Sequence, residues 1–255
     1  MLDSNPAAMP IDLNQKISAK MSPASEVDKQ EMAKVPYMQA IGCLLFAAQT
    51  TRPDISFAVN LLSRFSTNPG KAHWAAVKRV MRYLKGTIKY GISYNKEACN
   101  LTGFCDSDWA SDLDERRSTT GYLFKLQDGP ISWCTRRQRT IALSSTEAEF
   151  MAMTSAIQEA TWLMRLQKEL TPDTAETLVL HCDNKSAIQV ALNNSYSPRT
   201  KHVDIKDKFI RQHLESGKIK LVYIPTKEML ADILTKGVSK VIHINLSSFA
   251  NTVFK

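Results

Sequence analysis

Four acidic side chains, Asp106, Glu149, Asp183 and Asp232, each stand where an apolar run ends or a helical pattern begins, outside any stretch of solvated charge. Their settings are Phe104-Cys105-Asp106-Ser107-Asp108, Ser144-Ser145-Thr146-Glu147-Ala148-Glu149-Phe150, His181-Cys182-Asp183-Asn184 and Leu230-Ala231-Asp232-Ile233-Leu234. Burying the apolar runs draws such carboxylates toward one place, where clustered negative charge is costly without a compensating cation. The pattern therefore asks for a fold in which distant segments converge on a site for divalent metal.

The periodicity around these acids sets the fold class. Polar residues 1–34 read as an extended or poorly ordered lead-in. Three helical patterns follow, near 36–49, after Pro53, and over 71–85, the last ending at Gly86. From 88 the pattern turns β-like, with runs at 88–94, 100–106, 121–126 and 130–134, the last two joined through Asp128-Gly129. A long helix is predicted over 146–170, then a strand at 177–182, helices at 185–193 and 200–215, a strand at 218–224 and a last helix at 227–236. The order βββαβααβα implies an α/β fold, a mixed sheet with helices on its faces, preceded by a small helical segment.

Each acid has a competing structural role. Asp106 closes the first strand of this unit with Asp108 on the same face, while Cys105 and Cys182 alternate inward. Parallel neighbouring strands would bring Asp106 and Asp183 together at one sheet edge, although Asp183 or Asn184 would also suit a helix N-cap. Ser144 and Glu147 fit a capping box, which occupies Glu147 and leaves Glu149, beside Phe150, as the ligand candidate. Asp204 and Asp207 precede Lys208 and Arg211 by four residues, the spacing of a solvent-facing ion-paired helix, so Asp232 is the better fourth candidate.

Composition narrows the partner. Of 255 residues 44% are hydrophobic, and the net charge is +8, which favours a polyanion as the ligand of an acidic metal site. Five cysteines without a C-x-x-C pair argue against a disulfide framework and a zinc site, and suit a reducing compartment. No apolar run reaches the roughly 18 residues of a membrane span, and no signal-peptide core is present, so a cytoplasmic, non-secreted protein is expected.

With these residues in place the chain resembles the C-terminal part of the Pol polyprotein of copia-type (Ty1/copia) LTR retrotransposons. The matching stretches are Thr51-Arg52-Pro53-Asp54-Ile55, Arg82-Tyr83-Leu84-Lys85-Gly86-Thr87, Cys105-Asp106-Ser107-Asp108-Trp109-Ala110, Arg116-Arg117-Ser118-Thr119-Thr120-Gly121-Tyr122 and Ala142-Leu143-Ser144-Ser145-Thr146-Glu147-Ala148-Glu149-Phe150. They continue in Cys182-Asp183-Asn184, Thr200-Lys201-His202-Val203-Asp204 and Leu230-Ala231-Asp232-Ile233-Leu234-Thr235-Lys236. The resemblance implies a helical remnant of the reverse-transcriptase C-terminal region over 35–96, an RNase H-like domain over 98–238 and an atypical tail over 239–255. The implied sheet has five strands, the first three antiparallel and the first and fourth parallel neighbours.

It implies further that Asp106, Glu149, Asp183 and Asp232 are catalytic and hold two Mg²⁺, with Mn²⁺ a substitute. The substrate would be the RNA strand of an RNA–DNA hybrid, and the upstream reverse-transcriptase segment of the same polyprotein a partner, in the cytoplasm or in virus-like particles. Ser145 and Asn184 stand beside the ligands and are candidates for sensing 2′-hydroxyls across the minor groove. Arg136, Arg137 and Arg139, expected in the link before the long helix, are candidates for gripping phosphates, or simply a solvated loop. Two departures stand out. Pro225-Thr226-Lys227-Glu228 lacks the His that many RNases H carry before the last Asp, and the tail from Gly237 to Lys255 reads unlike the family's usual ending; the chain also has no Tyr-x-Asp-Asp polymerase centre. The alternatives are a catalytically inactive nucleic-acid-binding remnant and, less well matched, a three-acid transposase or integrase nuclease.

Overall fold

Alternating apolar residues build the central sheet. A computed structural model describes residues 1, 3–95, 100–172, 177–193, 204–250 and 252–253. Its five main strands are β2 (Thr102–Asp108), β3 (Thr119–Leu126), β4 (Gly129–Arg137), β5 (Leu178–Cys182) and β6 (Ile219–Tyr223). They lie in the order β4-β3-β2-β5-β6. The first three strands are mutually antiparallel, and β5 runs parallel to both β2 and β6. This is the strand arrangement the resemblance implied.

Neighbouring residues of each strand face opposite sides. Cys105, Phe124, Leu180 and Cys182 pack against α5 (Ser145–Leu170), α6 (Lys185–Leu192) and α7 (Asp204–Glu215). On α5, Phe150, Met153, Ile157 and Ala160 form the inward stripe at helical spacing, and each is at most 2% exposed. Burying a side chain such as Phe or Ile contributes about 1.5–3 kcal/mol. The other sheet face carries Phe104 and Leu123, covered by Met229, Leu230 and Ile233 next to and within α8 (Asp232–Thr235), and by Leu246 of α9 (Lys240–Ala250).

A second core gathers α2 (Tyr37–Thr50), α3 (Ser56–Ser63) and α4 (Lys71–Gly86) around Ile41, Leu44, Ile55, Val59, Val77 and Tyr83. This helical unit docks on the sheet through β4. Trp133 Nε1 donates to Ala48 O at 2.7 Å, and Asn60 Nδ2 donates to Thr135 O at 3.1 Å. Buried Asp112 joins the two units by accepting from Arg64 at 2.5 Å and from Arg137 at 3.1 Å. Burial works to raise its carboxyl, but Arg64, the Asp114 backbone N–H and Arg137 together outweigh that and hold it at about 2.

Four local expectations are corrected. Residues 26–33 form α1 (Glu26–Ala33), not an extended lead-in, because Ser25 Oγ caps it by accepting from Asp28 N at 3.1 Å. The lead-in is also anchored. Ile17 joins the helical core, and His73 Nε2 lies 3.0 Å from Ser18 O. The strand expected over 88–94 shrinks to β1 (Tyr90–Gly91), whose antiparallel partner is β7 (Thr252–Val253) in the tail.

The hairpin turn falls one residue early, on Gln127 and Asp128, whose positive φ of 52° and 62° suit a type I′ turn. Gly129 belongs to β4 instead, where a Cβ would meet the Tyr94 ring at 2.4 Å and Ser93 O at 2.5 Å. The helix expected over 227–236 splits into a 3-10 turn (Thr226–Glu228) and the single turn α8. Residues 200–203, assigned to the helix at 200–215, lie outside the described residues.

Candidate active site

Strand ends and helix starts bring the four acids together. Asp106 sits near the end of β2, Asp183 follows β5, Glu149 lies in the second turn of α5 and Asp232 opens α8. Carboxylate oxygens of Asp106, Asp183 and Asp232 lie within 4.8 Å of one another. Ligand atoms of Glu149, Asp183 and the Cys182 thiol form a second group at the same spacing, so Asp183 belongs to both. Asp106, Glu149 and Asp183 line an open cleft of about 540 Å³ at the carboxyl ends of β2 and β5. Asp232 stands behind them, 3% exposed.

The electrostatics are those of an under-compensated acidic cluster. Burial raises the Glu149 carboxyl to about 10, and the nearby Asp106 carboxylate adds to the rise. Asp232 is raised to about 7, again by burial first and by Asp106 second. Asp108, also burial-dominated, reaches about 7, and Asp106 itself is raised mainly by burial despite the opposing pull of Lys236. Glu149 Oε2 is buried and has no hydrogen-bond partner among the described residues. A hard, all-carboxylate set with an orphaned buried oxygen fits a divalent cation such as Mg²⁺ or Mn²⁺. Cys182 fits poorly as a ligand, being fully buried against Cys105 in the core.

The raised Glu149 carboxyl has a stability consequence. Its proton is held in the folded state and released near the ordinary glutamate value on unfolding. The stability this one group contributes is therefore fully present below about pH 4.5 and is lost as pH rises toward 10. Glu149→Gln removes that decline, so the metal-free variant should melt about 2–8 °C above the parent at pH 8, roughly 0.5–2 kcal/mol. Melting curves at pH 5 and pH 8 check this. A variant less stable than the parent at pH 8 would show that the carboxylate is satisfied in the fold.

Several groups that the sequence reading did not single out complete the site. Lys236 Nζ lies 2.9 Å from Asp232 Oδ1 and 3.7 Å from Asp106 Oδ2, placing an ammonium within the carboxylate cluster. Its spacing of four residues from Asp232 was the available signal. Thr235 donates its hydroxyl hydrogen bond to Asp106, and Thr226 Oγ1 donates to Asp183 Oδ2 at 2.6 Å. Gly121 pairs with Asp106 across the β2–β3 ladder and carries no side chain, so α8 can lie directly against it.

The residues expected at the margins are placed as follows. Glu147 closes a cap: its backbone N donates to Ser144 Oγ at 3.1 Å, while its Oε2 accepts from Leu143 N at 2.7 Å. Ser145 is exposed at the start of α5. Asn184 lines the cleft, and its Oδ1 caps α6 by accepting from Ala187 N at 2.9 Å. Arg136 and Arg137 belong to β4, not to the link, because β4 extends through Arg137 in pairing with β3. Arg137 is committed to Asp112 and Glu115 at 3.1 and 3.0 Å, which leaves Arg136 and Arg139 as the exposed pair. Asp207 pairs with Arg211 at 2.8 Å on α7. The side chain of Asp204 lies outside the described residues.

No protein-family model matches the chain. Over 240 residues, 94% of its length, it is 43% identical to the retrovirus-related Pol polyprotein of transposon TNT 1-94 from Nicotiana tabacum. Over 97% of its length it is 37% identical to the corresponding polyprotein of transposon RE2 from Arabidopsis thaliana. The chain belongs to the Pol polyproteins of copia-type retrotransposons. It spans 18% and 17% of the lengths of these two relatives. Among solved structures, this Pol segment is similar to the N-terminal RNase H domain of rv2228c from Mycobacterium tuberculosis, with TM-score 0.40 and 10% identity over 59% of this chain and 98% of that one. LC11-RNase H1, solved in complex with an RNA/DNA hybrid, gives TM-score 0.40 and 14% identity over 53% and 94%.

Proposed function

We propose that this Pol segment hydrolyses the RNA strand of RNA–DNA hybrids during retrotransposon reverse transcription, in the cytoplasm. The observation that carries the reading is the meeting of Asp106, Glu149, Asp183 and Asp232 at one end of the sheet, with a buried Glu149 oxygen that has no hydrogen-bond partner among the described residues. These four would hold two divalent cations, Mg²⁺ or Mn²⁺, and Asp183 stands in both ligand groupings. Bound there, such cations supply activation of the attacking water and charge stabilisation of the leaving oxygen.

The chain's own groups do the positioning. Thr235 and Thr226 orient Asp106 and Asp183 through their hydroxyls, and the Lys236 ammonium offsets charge between Asp106 and Asp232. The cleft is open, which suits a nucleic-acid backbone laid across it better than an enclosed small molecule. Asn184 has its carbonyl oxygen occupied by the α6 cap, so its amide NH₂ is the part that can serve a substrate hydroxyl. Arg136 and Arg139 are the exposed cations for phosphates. Selection of RNA then depends on 2′-hydroxyls displayed in the shallow minor groove of the hybrid.

The test is cleavage of a labelled hybrid by purified protein in Mg²⁺, Mn²⁺ and EDTA, with single-stranded RNA and duplex DNA as controls. Cutting confined to the RNA strand of the hybrid, and abolished by EDTA, is expected. Hybrid binding without cutting in either metal would instead identify an inert nucleic-acid-binding remnant. Among the described residues no helix is long and apolar enough to cross a membrane.

A further inference from the structure

Three large apolar side chains stand exposed on the two loops that adjoin the segments carrying Asp106 and Glu149, and nothing in the metal chemistry uses them. Trp109 is 53% exposed, Ile141 54% and Leu143 85%. Trp109 follows β2 directly, three residues beyond Asp106, a span of at most about 10 Å along the chain. Leu143 and Ile141 come from the link between β4 and α5, just before the turns that carry Glu149.

The two loops are tied to each other and to the site. The Trp109 indole nitrogen donates to Ala142 O at 3.1 Å, and Ala142, between Ile141 and Leu143, is buried. Leu143 N in turn donates to Glu147 Oε2 at 2.7 Å in the first turn of α5. The indole is therefore held in place by its nitrogen while about half of its surface, all of it apolar ring, stays in water. Its one polar group is already committed, so what remains to offer is apolar ring. Arg136 and Arg139 stand exposed just before Ile141 in the chain, and neither forms a salt bridge among the described residues.

We propose that Trp109 and Leu143, with Ile141 beside them, form an apolar rest for the sugar wall of the minor groove of the bound hybrid, setting the duplex at its depth over the carboxylates. This rests on the hybrid-hydrolase reading above. A sugar wall is the apolar part of a nucleic acid, and a ring without a free donor packs on it without reading sequence. Hydrogen bonds tie these two loops to each other and to the first turn of α5, close in the chain to Asp106 and Glu149. Exposed arginines beside them give the charge complementarity that a polyanion requires and a second apolar protein surface does not.

The experiment measures hybrid affinity in Mg²⁺ in an Asp106→Asn background, together with steady-state cleavage in the parent. Trp109→Ala should weaken hybrid binding by roughly 5- to 50-fold. The salt dependence of affinity should not change, whereas Arg136→Ala or Arg139→Ala should flatten it. In the cleaving parent, Trp109→Ala should raise KM by a similar factor and leave kcat within about twofold, and Trp109→Phe should restore most of the loss. Leu143→Ala, on a surface side chain, repeats the test with little risk to folding.

Parental affinity in both Trp109→Ala and Leu143→Ala overturns the proposal, whether or not either variant changes self-association. A fall in kcat at saturating hybrid without a change in affinity also overturns it, assigning Trp109 to carboxylate geometry. A parent protein that binds hybrid through Trp109 yet never cuts it would remove the hydrolase reading and leave this contact standing.

Discussion

Asp106→Asn should abolish hybrid cleavage, by at least about 10³-fold, while the protein remains folded. Asn has nearly the shape of Asp, so the β2–β3 ladder around residue 106 is undisturbed. What changes is charge. Asp106 lies next to Asp183 and Asp232 and faces the Lys236 ammonium, so on the proposed reading losing its carboxylate removes an oxygen ligand from the centre of the group. The fold should tolerate the loss, because burial already works against the charged form of Asp106 and a neutral amide avoids that penalty. Lys236 retains Asp232 at 2.9 Å. Cleavage rates, circular dichroism and melting temperature, measured together, check this. A variant that cuts within about tenfold of the parent would sink the assignment of Asp106 to the metal site.

The second large effect is expected from a residue with no functional groups. A Cβ at Gly121 would come within 2.5 Å of Thr235 Cγ2, 3.0 Å of Leu234 Cβ and 3.2 Å of Ala231 O. Gly121→Val must therefore push α8 away from the sheet. That single turn carries Asp232, and Thr235 in it bonds Asp106. Overpacking of this kind costs about 1–3 kcal/mol, and displacing a ligand by an ångström costs about 10²-fold in rate. Cleavage should fall by roughly that factor, with a modest loss of stability. Gly42→Ala in α2 is the control, since a Cβ there meets nothing within 4 Å and should leave cleavage unchanged. Parental activity in Gly121→Val would mean that the seating of α8 does not govern the site.

The two outcomes separate chemistry from scaffold. Asp106→Asn keeps every element in place and removes one carboxylate of the cluster; Gly121→Val keeps every carboxylate and moves an element. Stability should follow the opposite order, nearly unchanged in the first and reduced in the second. That crossing is hard to mimic by general misfolding.

The sheet was legible because its signals are local. Alternation in Phe104-Cys105-Asp106 needs only three residues to show which side chains face the core, and Cys105 is indeed fully buried beneath α5. The 3.6-residue stripe of Phe150, Met153 and Ile157 likewise declares α5 from its own span. The lead-in gives no such signal, because its nine Met, Leu, Ile and Val residues are scattered without a period. Ile17 and Met21 become anchors only once α4 offers them a surface. Arg137 was misplaced for a related reason. The extent of β4 depends on its pairing with Thr119 in β3, and the side chain's partner is Asp112, a residue no helical or strand period connects to it.

By itself, the order of apolar runs and acids determined a mixed sheet flanked by helices and selected Asp106, Glu149, Asp183 and Asp232 over Glu147 and Asp204. Strand alternation, helix period and capping each act within about a dozen neighbouring residues. Only the tertiary structure decided that Lys236 enters the acidic cluster, that Gly121 makes room for α8, and that Trp109 is tied to the loop before α5. Thr235 and Asp106 are 129 residues apart, and their hydrogen bond exists because two sheet-packing surfaces meet. Which distant groups share such a contact depends on packing of the whole chain, and packing leaves no periodic trace along it.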